Sequence, residues 1–106
     1  MDRSEFAQLA HAALNRIDRG LGDLEHEQLD CDLAGDVLTL SFDDGVKFIV
    51  NAHSAAGQIW LAAGSHAWHF DYRAGEGRWI ASKNGDELLS TIARVVGDKL
   101  ELQLEL

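Results

Sequence analysis

The side chains most suited to chemistry are carboxylates that cluster in one quarter of the chain. Residues 18–44 hold nine of the 18 acidic residues, and Arg19 is the only Lys or Arg among them. The nine are Asp18, Asp23, Glu25, Glu27, Asp30, Asp32, Asp36, Asp43 and Asp44. Such oxygens bind hard cations and also attract basic protein surfaces. A solvated face that keeps the protein soluble is one interpretation of the cluster, but because clustered like charges repel and cost stability, the cluster also suggests a use.

The surrounding sequence contains no familiar metal-ligand motif. There is no Glu-x-x-His pair, no His-Glu-x-x-His and no EF-hand spacing, so we expect any metal site to be weak and exposed. His26 lies within the cluster and could add a nitrogen ligand, although a solvated loop histidine is the simpler interpretation. The other histidines are scattered, with His11 on a predicted helix, His53 and His66 in predicted loops, and His69 on a predicted strand.

Cys31 is the only cysteine, which excludes an internal disulfide and favours a reducing compartment. It alternates with Asp30 and Asp32, so it faces inward if the two acids face outward. Burial beside carboxylates raises the pKa of a thiol and makes it a poor nucleophile. We therefore expect no catalytic role for Cys31.

A second candidate site is the segment from Gln58 to residue 62. If Ile59 and Leu61 face the core, Gln58 and Trp60 face away from it. A tryptophan on an open sheet face is a natural interface anchor, and the alternative is simple packing on its strand neighbours. Asn51, on the adjoining predicted strand, could share this face.

The elements that must position these residues follow from hydrophobic periodicity. Apolar residues at helical spacing predict a first helix from Phe6 to Leu21, with Ser4 as N-cap and with Gly20 and Gly22 ending it. Alternating patterns then predict strands at residues 29–33, 38–42, 47–51, 58–62, 67–72 and 78–81. The short connections favour an antiparallel meander.

A second helix is predicted around residues 88–96, opened by Gly85 or Asp86 and closed by Gly97. In the tail, Leu100, Leu102, Leu104 and Leu106 alternate, which is typical of a strand. We expect this tail to pack against the helices and to add stability. The whole predicts an α+β two-layer sandwich with two helices on one face of a five- to six-stranded antiparallel sheet.

Length and charge bound the function. The 106 residues suit one domain, residues 1–106, with one core. A net charge of -9 disfavours nucleic acid and anionic membrane surfaces as partners. Neither a signal peptide nor an apolar run of membrane-spanning length is recognisable, so the expected location is the cytoplasm.

Several segments together resemble the bacterial frataxins of the CyaY type over nearly the whole chain. They are Ser4-Glu5-Phe6, Asp30-Cys31-Asp32, the run from Val37 to Gly45, Ile49-Val50-Asn51, Gln58-Ile59-Trp60-Leu61-Ala62 and His69-Phe70-Asp71. The segment Gln-x-Trp-Leu-Ala is the most specific. The resemblance implies a sandwich with two helices on one sheet face and a role in iron–sulfur cluster assembly.

The resemblance also implies sites. The family's acidic ridge binds iron weakly, as Fe2+ or Fe3+, and docks the cysteine desulfurase, while its exposed tryptophan is associated with the iron–sulfur scaffold protein. Carried over by position, the acidic ridge is Asp18, Asp23, Glu25, Glu27, Asp30 and Asp32, and the sheet surface is Asn51, Gln58 and Trp60. Arg19, Gly20 and Gly22 stand where relatives often have acids, as does His11, which shifts the expected centre of the ridge to residues 23–32.

The sequence is thus interpreted as a non-enzymatic, iron-binding regulator of iron–sulfur cluster assembly. We expect a monomer, with iron-driven oligomers left open. The first alternative is a metal-free acidic interaction module, either an inhibitor of a basic enzyme or a nucleic-acid mimic. A second alternative is an enzyme that oxidises Fe2+, against which the lack of an enclosed dinuclear ligand set argues.

Overall fold

The chain forms two layers in the computed structural model, which describes residues 1–106. Six strands form one antiparallel sheet in sequence order, and two helices cover one of its faces. The elements are α1 (Arg3–Gly22), β1 (Leu29–Ala34), β2 (Val37–Phe42), β3 (Lys47–His53), β4 (Gln58–Ala63), β5 (His66–Arg73), β6 (Arg78–Ala81) and α2 (Leu88–Leu100). The predicted α+β sandwich and antiparallel meander are confirmed. Neither helix has the length and apolar character needed to cross a membrane.

The core lies between the helices and the sheet face that they cover. Strand alternation directs Leu38, Leu40 and Phe42 of β2 into this layer, and Ile59 and Leu61 of β4 join them. Buried residues of both helices meet these strand side chains in one continuous cluster. The opposite sheet face carries no helix, so side chains there are half-buried by their strand neighbours alone.

Helix α1 begins two residues earlier than its predicted N-cap implied, and Ser4 as N-cap is wrong. The carboxylate of Asp2 accepts a hydrogen bond from the backbone N–H of Glu5 at 2.8 Å, and the Asp2 carbonyl accepts from Phe6 at 3.0 Å. Aspartate caps a helix as well as serine does, and its charge also favours the positive end of the helix dipole. The helix ends at Gly22, close to the predicted position.

Both predicted ends of α2 are wrong. Its N-cap is Glu87, whose carboxylate accepts from the N–H groups of Leu89 at 2.7 Å and Ser90 at 3.0 Å. At the other end the helix continues through Gly97 to Leu100. The left-handed residue that ends it is Glu101, with φ 58°. A glycine in the last turns is therefore present here for a reason other than capping.

That reason is the C-terminal tail, which forms no strand, contrary to its alternating pattern. After Glu101 the chain turns back over the helices, and Leu102, Leu104 and Leu106 pack against the core cluster. The Leu102 N–H donates to the Gly97 carbonyl at 3.0 Å. The alternating leucines thus seal a helical seam, because no free sheet edge lies beside them, and the expected packing of the tail is confirmed.

Candidate metal-binding ridge and sheet surface

The acidic ridge follows the chain from the end of α1 into β1. Asp18 lies on α1 and is half-buried, and Asp23 is the C-cap of α1. Glu25 and Glu27 lie in the connecting loop, where Glu25 adopts the left-handed conformation with φ 49° that turns the chain. All the ridge residues except Asp18 are exposed. The ridge is therefore an open surface rather than a cleft.

On β1 the ridge bends around an edge of the sheet. Asp30 and Asp32 pair with Ser41 and Thr39 and point to the sheet face away from the helices. Cys31 points the other way, toward α1, as alternation predicts. Because β1 is the edge strand, the ridge has carboxylates on both sides of it, with Asp18 on the helix side.

The Cys31 thiol lies close to carboxylates on both sides of β1, as its pKa shows. Burial raises the pKa of Cys31 to about 11, and the negative charges of Asp18 and Asp30 add to the rise. A carboxylate from α1 and one from β1 therefore act on the same sulfur. At neutral pH the thiol is protonated, which makes it a poor nucleophile and a poor metal ligand.

The six ridge carboxylates share a second property, which is that none has a basic partner. No Lys, Arg or His nitrogen lies within 4 Å of any of them, and none accepts a side-chain hydrogen bond. Some acids outside the ridge do have basic partners: Asp36 contacts His11 at 2.7 Å, Asp44 pairs with Lys99, and Glu76 pairs with Arg78. The ridge keeps its charge uncompensated.

The ridge carboxylates do not converge on one point. No three His, Cys, Asp or Glu side chains of the chain are grouped as the ligands of one metal ion would be. Carboxylate oxygen is the donor that hard cations prefer, so the donor chemistry fits iron. The spread of the donors fits ions held by one or two carboxylates with water completing the coordination. The Nδ1 atom of His26 accepts a hydrogen bond from the Gln28 N–H at 3.1 Å, so this nitrogen is already used within the loop.

The second predicted site lies on the uncovered sheet face. Asn51 of β3 stands directly across from Trp60 of β4, and Gln58 stands across from Asp71 of β5. Trp60 is half-buried, while its neighbours Ile59 and Leu61 are in the core. The register thus places Asn51, Gln58 and Trp60 on one surface.

Two histidines sandwich the Trp60 indole. The His53 ring lies 4.0 Å from the indole centroid at an interplanar angle of 19°, and the His69 ring lies 4.3 Å away at 15°. The two imidazoles come from β3 and β5, on opposite sides of β4. At these distances they cannot share one face of the indole without overlapping each other, so one lies on each face.

Two consecutive hydrogen bonds between side chains hold the indole nitrogen in place. The Trp60 Nε1–H donates to Gln58 Oε1 at 2.8 Å, and Gln58 Nε2 donates to Asp71 Oδ1 at 3.1 Å. The indole N–H is therefore occupied within the protein. An adjoining cavity of about 200 Å³ is lined mainly by apolar groups, including Ile49, Ala62 and Ala67.

The stack on Trp60 was missed because the sequence placed His53 in a loop, which is wrong; His66 was also wrongly placed in a loop, whereas His69 lies on a strand as predicted. Strand β3 extends to His53 and β5 begins at His66. The two extra residues of β3 bring His53 beside Trp60. The available signal was alternation: His53 follows Asn51 by two positions, so it must share the face of Asn51 once the strand continues.

Comparison with known proteins identifies the class. A family model described as a frataxin-like domain matches residues 1–102. The chain therefore belongs to the frataxin family, as its sequence motifs suggested. The sandwich of two helices on a six-stranded antiparallel sheet is the fold of frataxin structures.

Individual relatives agree with this assignment. The chain is 36% identical over 110 residues to the Iron-sulfur cluster assembly protein CyaY of Ralstonia nicotianae, covering 100% of this chain and 95% of that one. The Vibrio cholerae protein of the same name is 39% identical over 92 residues, covering 87% and 86%. Frataxin from Psychromonas ingrahamii superposes with a TM-score of 0.90 at 30% identity, covering 99% and 97%. Trimeric yeast frataxin complexed with ferrous superposes with a TM-score of 0.75 at 26% identity, covering 88% and 86%.

Proposed function

We propose that the protein acts in iron–sulfur cluster assembly as a non-catalytic, iron-binding regulator. The observation that carries the proposal is the acidic ridge, which gathers six carboxylates within residues 18–32 and in which none of them has a basic partner. Family membership supplies the pathway, since relatives that span the chain are named for cluster assembly. A ferrous complex of yeast frataxin supports iron as the cargo.

The ridge would serve two purposes with one set of charges. Exposed carboxylates bind Fe2+ or Fe3+ weakly through oxygen, and the same uncompensated field attracts a basic surface of the cysteine desulfurase. Asp18, Asp23, Glu25, Glu27, Asp30 and Asp32 are the proposed residues. Because the charges are exposed, both interactions weaken as ionic strength rises.

The sheet surface would bind the iron–sulfur scaffold protein. Asn51, Gln58 and Trp60 are the proposed contact residues, and the apolar cavity beside Trp60 offers a place for a partner side chain. An aromatic anchor beside a pocket on an otherwise open surface is typical of an interaction hot spot. In this proposal the protein works in the cytoplasm and holds desulfurase and scaffold at two adjoining surfaces.

The test measures desulfurase and cluster-assembly rates with and without the protein at several Fe2+ concentrations. The proposal predicts rates that change with the protein and whose change depends on iron. Unchanged rates at every iron level would contradict it. The alternative, a metal-free acidic module, predicts a change that iron does not alter and no shift of the backbone NMR signals of residues 18–32 on Fe2+ titration.

The proposed monomer is tested by light scattering after gel filtration. A monomer without iron and larger species with Fe2+ would establish iron-driven oligomers. The trimeric state of yeast frataxin makes this comparison worthwhile for the present chain.

The non-catalytic role is tested by measuring oxygen consumption with Fe2+. A rate above that of iron in buffer would contradict this role.

A further inference from the structure

We propose that His53, His69 and Asp71 are positioning residues that hold Trp60 in one orientation for its partner. The inference rests on the proposed function of the sheet surface and gives a role to three residues to which the resemblance assigned none. It starts from the two imidazoles on either face of the indole, at 4.0 and 4.3 Å.

The geometry determines how the rings stand. Neighbouring strands of a sheet lie about 4.8 Å apart. The ring centroids of His53, Trp60 and His69 are separated by nearly this spacing, and each ring comes from a different one of three adjacent strands. The three rings therefore stand on edge, side by side across β3, β4 and β5. Their edges face solvent, and both faces of the indole are covered.

Rotation of the indole about its own bonds is blocked at one further point, the indole nitrogen. Its N–H is held by the Gln58 side chain, and Gln58 is held in turn by Asp71 at 3.1 Å. An exposed tryptophan otherwise samples several rotamers, and ordering it on binding costs conformational entropy. Stacking and hydrogen bonding order the indole when this protein folds, so its conformational entropy is already lost before binding. The partner therefore meets a preformed surface.

The arrangement also selects what the partner can offer. Since neither indole face is open and the N–H is occupied, a nucleobase or a cation cannot stack on Trp60. The available contact is the ring edge together with the cavity lined by Ile49, Ala62 and Ala67. This surface fits an apolar side chain of a protein partner.

The experiment follows the indole NMR signals of Trp60, assigned with Trp60→Phe, and the affinity for the scaffold protein. Replacing His53 or His69 with alanine removes the ring current of a stacked imidazole, so the Trp60 signals shift. We expect affinity to fall about threefold to tenfold, the range that one aromatic pair supplies. Asp71→Ala should shift the indole N–H signal in particular.

Three controls separate positioning from direct contact. His66 lies on β5 with His69 but does not stack on Trp60. His66→Ala should therefore leave the Trp60 signals and the affinity unchanged. His69→Phe keeps a stacked ring and should restore the affinity that His69→Ala loses. In a Trp60→Ala background, His69→Ala should cost nothing further, because positioning acts only through the indole.

Unchanged Trp60 signals in both alanine variants would overturn the proposal. So would a loss of affinity in His69→Phe equal to that in His69→Ala, which would show direct contact by the histidine. If the wild-type chain does not bind the scaffold, the proposed function of this surface is contradicted instead. The indole signals of the free protein still decide whether the histidines stack on Trp60.

Discussion

The carbonyl oxygen of Leu102 lies 2.7 Å from the point that a Cβ atom on Gly97 would occupy. The tail can cross α2 this closely only because residue 97 has no side chain. The contact involves backbone, which cannot move aside as a flexible side chain can. Gly97 is thus explained by the tail that passes over it.

Gly97→Ala is accordingly expected to destabilise the protein by about 1–3 kcal/mol, the usual cost of forcing an extra methyl group into a packed site. Urea unfolding followed by far-UV circular dichroism measures it. The matched control is Gly22→Ala, where nothing lies within 4 Å and alanine is the better helix former. A Gly97→Ala protein as stable as Gly22→Ala would show that the tail does not rest on α2 in solution.

The pair formed by Asp44 and Lys99 predicts a pH dependence of stability. The hydrogen bond from Lys99 lowers the pKa of Asp44 below its ordinary value of 3.8, with the Val46 N–H contributing. A carboxyl group whose pKa is lower in the folded state stabilises the protein above its unfolded pKa, and this stabilisation is lost as pH falls through the folded pKa. Asp44→Asn should therefore be less stable than wild type at pH 7, and the difference should disappear as the pH falls through the lowered folded pKa of Asp44.

The control for this prediction is the preceding residue. Asp43 is exposed and its side chain has no partner. Asp43→Asn should therefore leave the dependence of stability on pH nearly unchanged. Thermal unfolding at several pH values compares the three proteins. A difference between Asp44→Asn and wild type that does not shrink as the pH is lowered from 7 through the acid range would assign the effect to something other than the carboxylate charge.

Cys31 gives a chemical readout of the ridge. With its pKa raised to about 11, the folded thiol should react with iodoacetamide at pH 8 much more slowly than the thiol of the urea-unfolded chain. Asp30→Asn removes one charge that raises this pKa and should speed the reaction. Asp32→Asn, on the other side of Cys31, is the control and should react at the wild-type rate.

The Cys31 thiol also determines how the stability of the protein changes with pH in the alkaline range. The unfolded thiol ionises near pH 9 and the folded one near 11, so the unfolded state loses its proton first and stability falls between these values. Cys31→Ser should flatten this part of the profile. Equal alkylation rates for folded and unfolded chains would contradict both the burial of Cys31 and its charged surroundings.

The parts of the fold that the sequence predicted were those governed by periodicity. Alternation in residues 38–42 and 58–62 assigned both strands and the inward direction of Leu40 and Leu61, because a half-buried sheet imposes a period of two. The same rule failed for the tail, where Leu102 and Leu104 alternate without a strand. Periodicity reports which side chains face the core, and it does not report whether a neighbouring strand is available for pairing.

The candidate sites divide in the same way. The clustering of acids along residues 18–44 indicated the acidic region, the family resemblance selected the six ridge residues within it, and alternation placed Asn51 and Trp60 on one face. That the ridge acids have no basic partner, while Asp36 and Asp44 do, depends on contacts between residues 25 and 55 positions apart, which local patterns do not contain. The stack around Trp60 depends on strand β3 continuing to His53, and element ends are set by pairing with β4 rather than by local propensity.

The central claim is that the ridge, and not the overall negative charge, binds the cysteine desulfurase. The most direct test measures desulfurase affinity for Asp23→Lys/Glu27→Lys and for a control with the same change in net charge outside the ridge, Asp98→Lys/Glu105→Lys. The account predicts that the ridge variant binds about tenfold or more weakly, since like charges then meet at the interface, while the control stays near wild type. Equal weakening of both variants, or no weakening in the ridge variant, would contradict it.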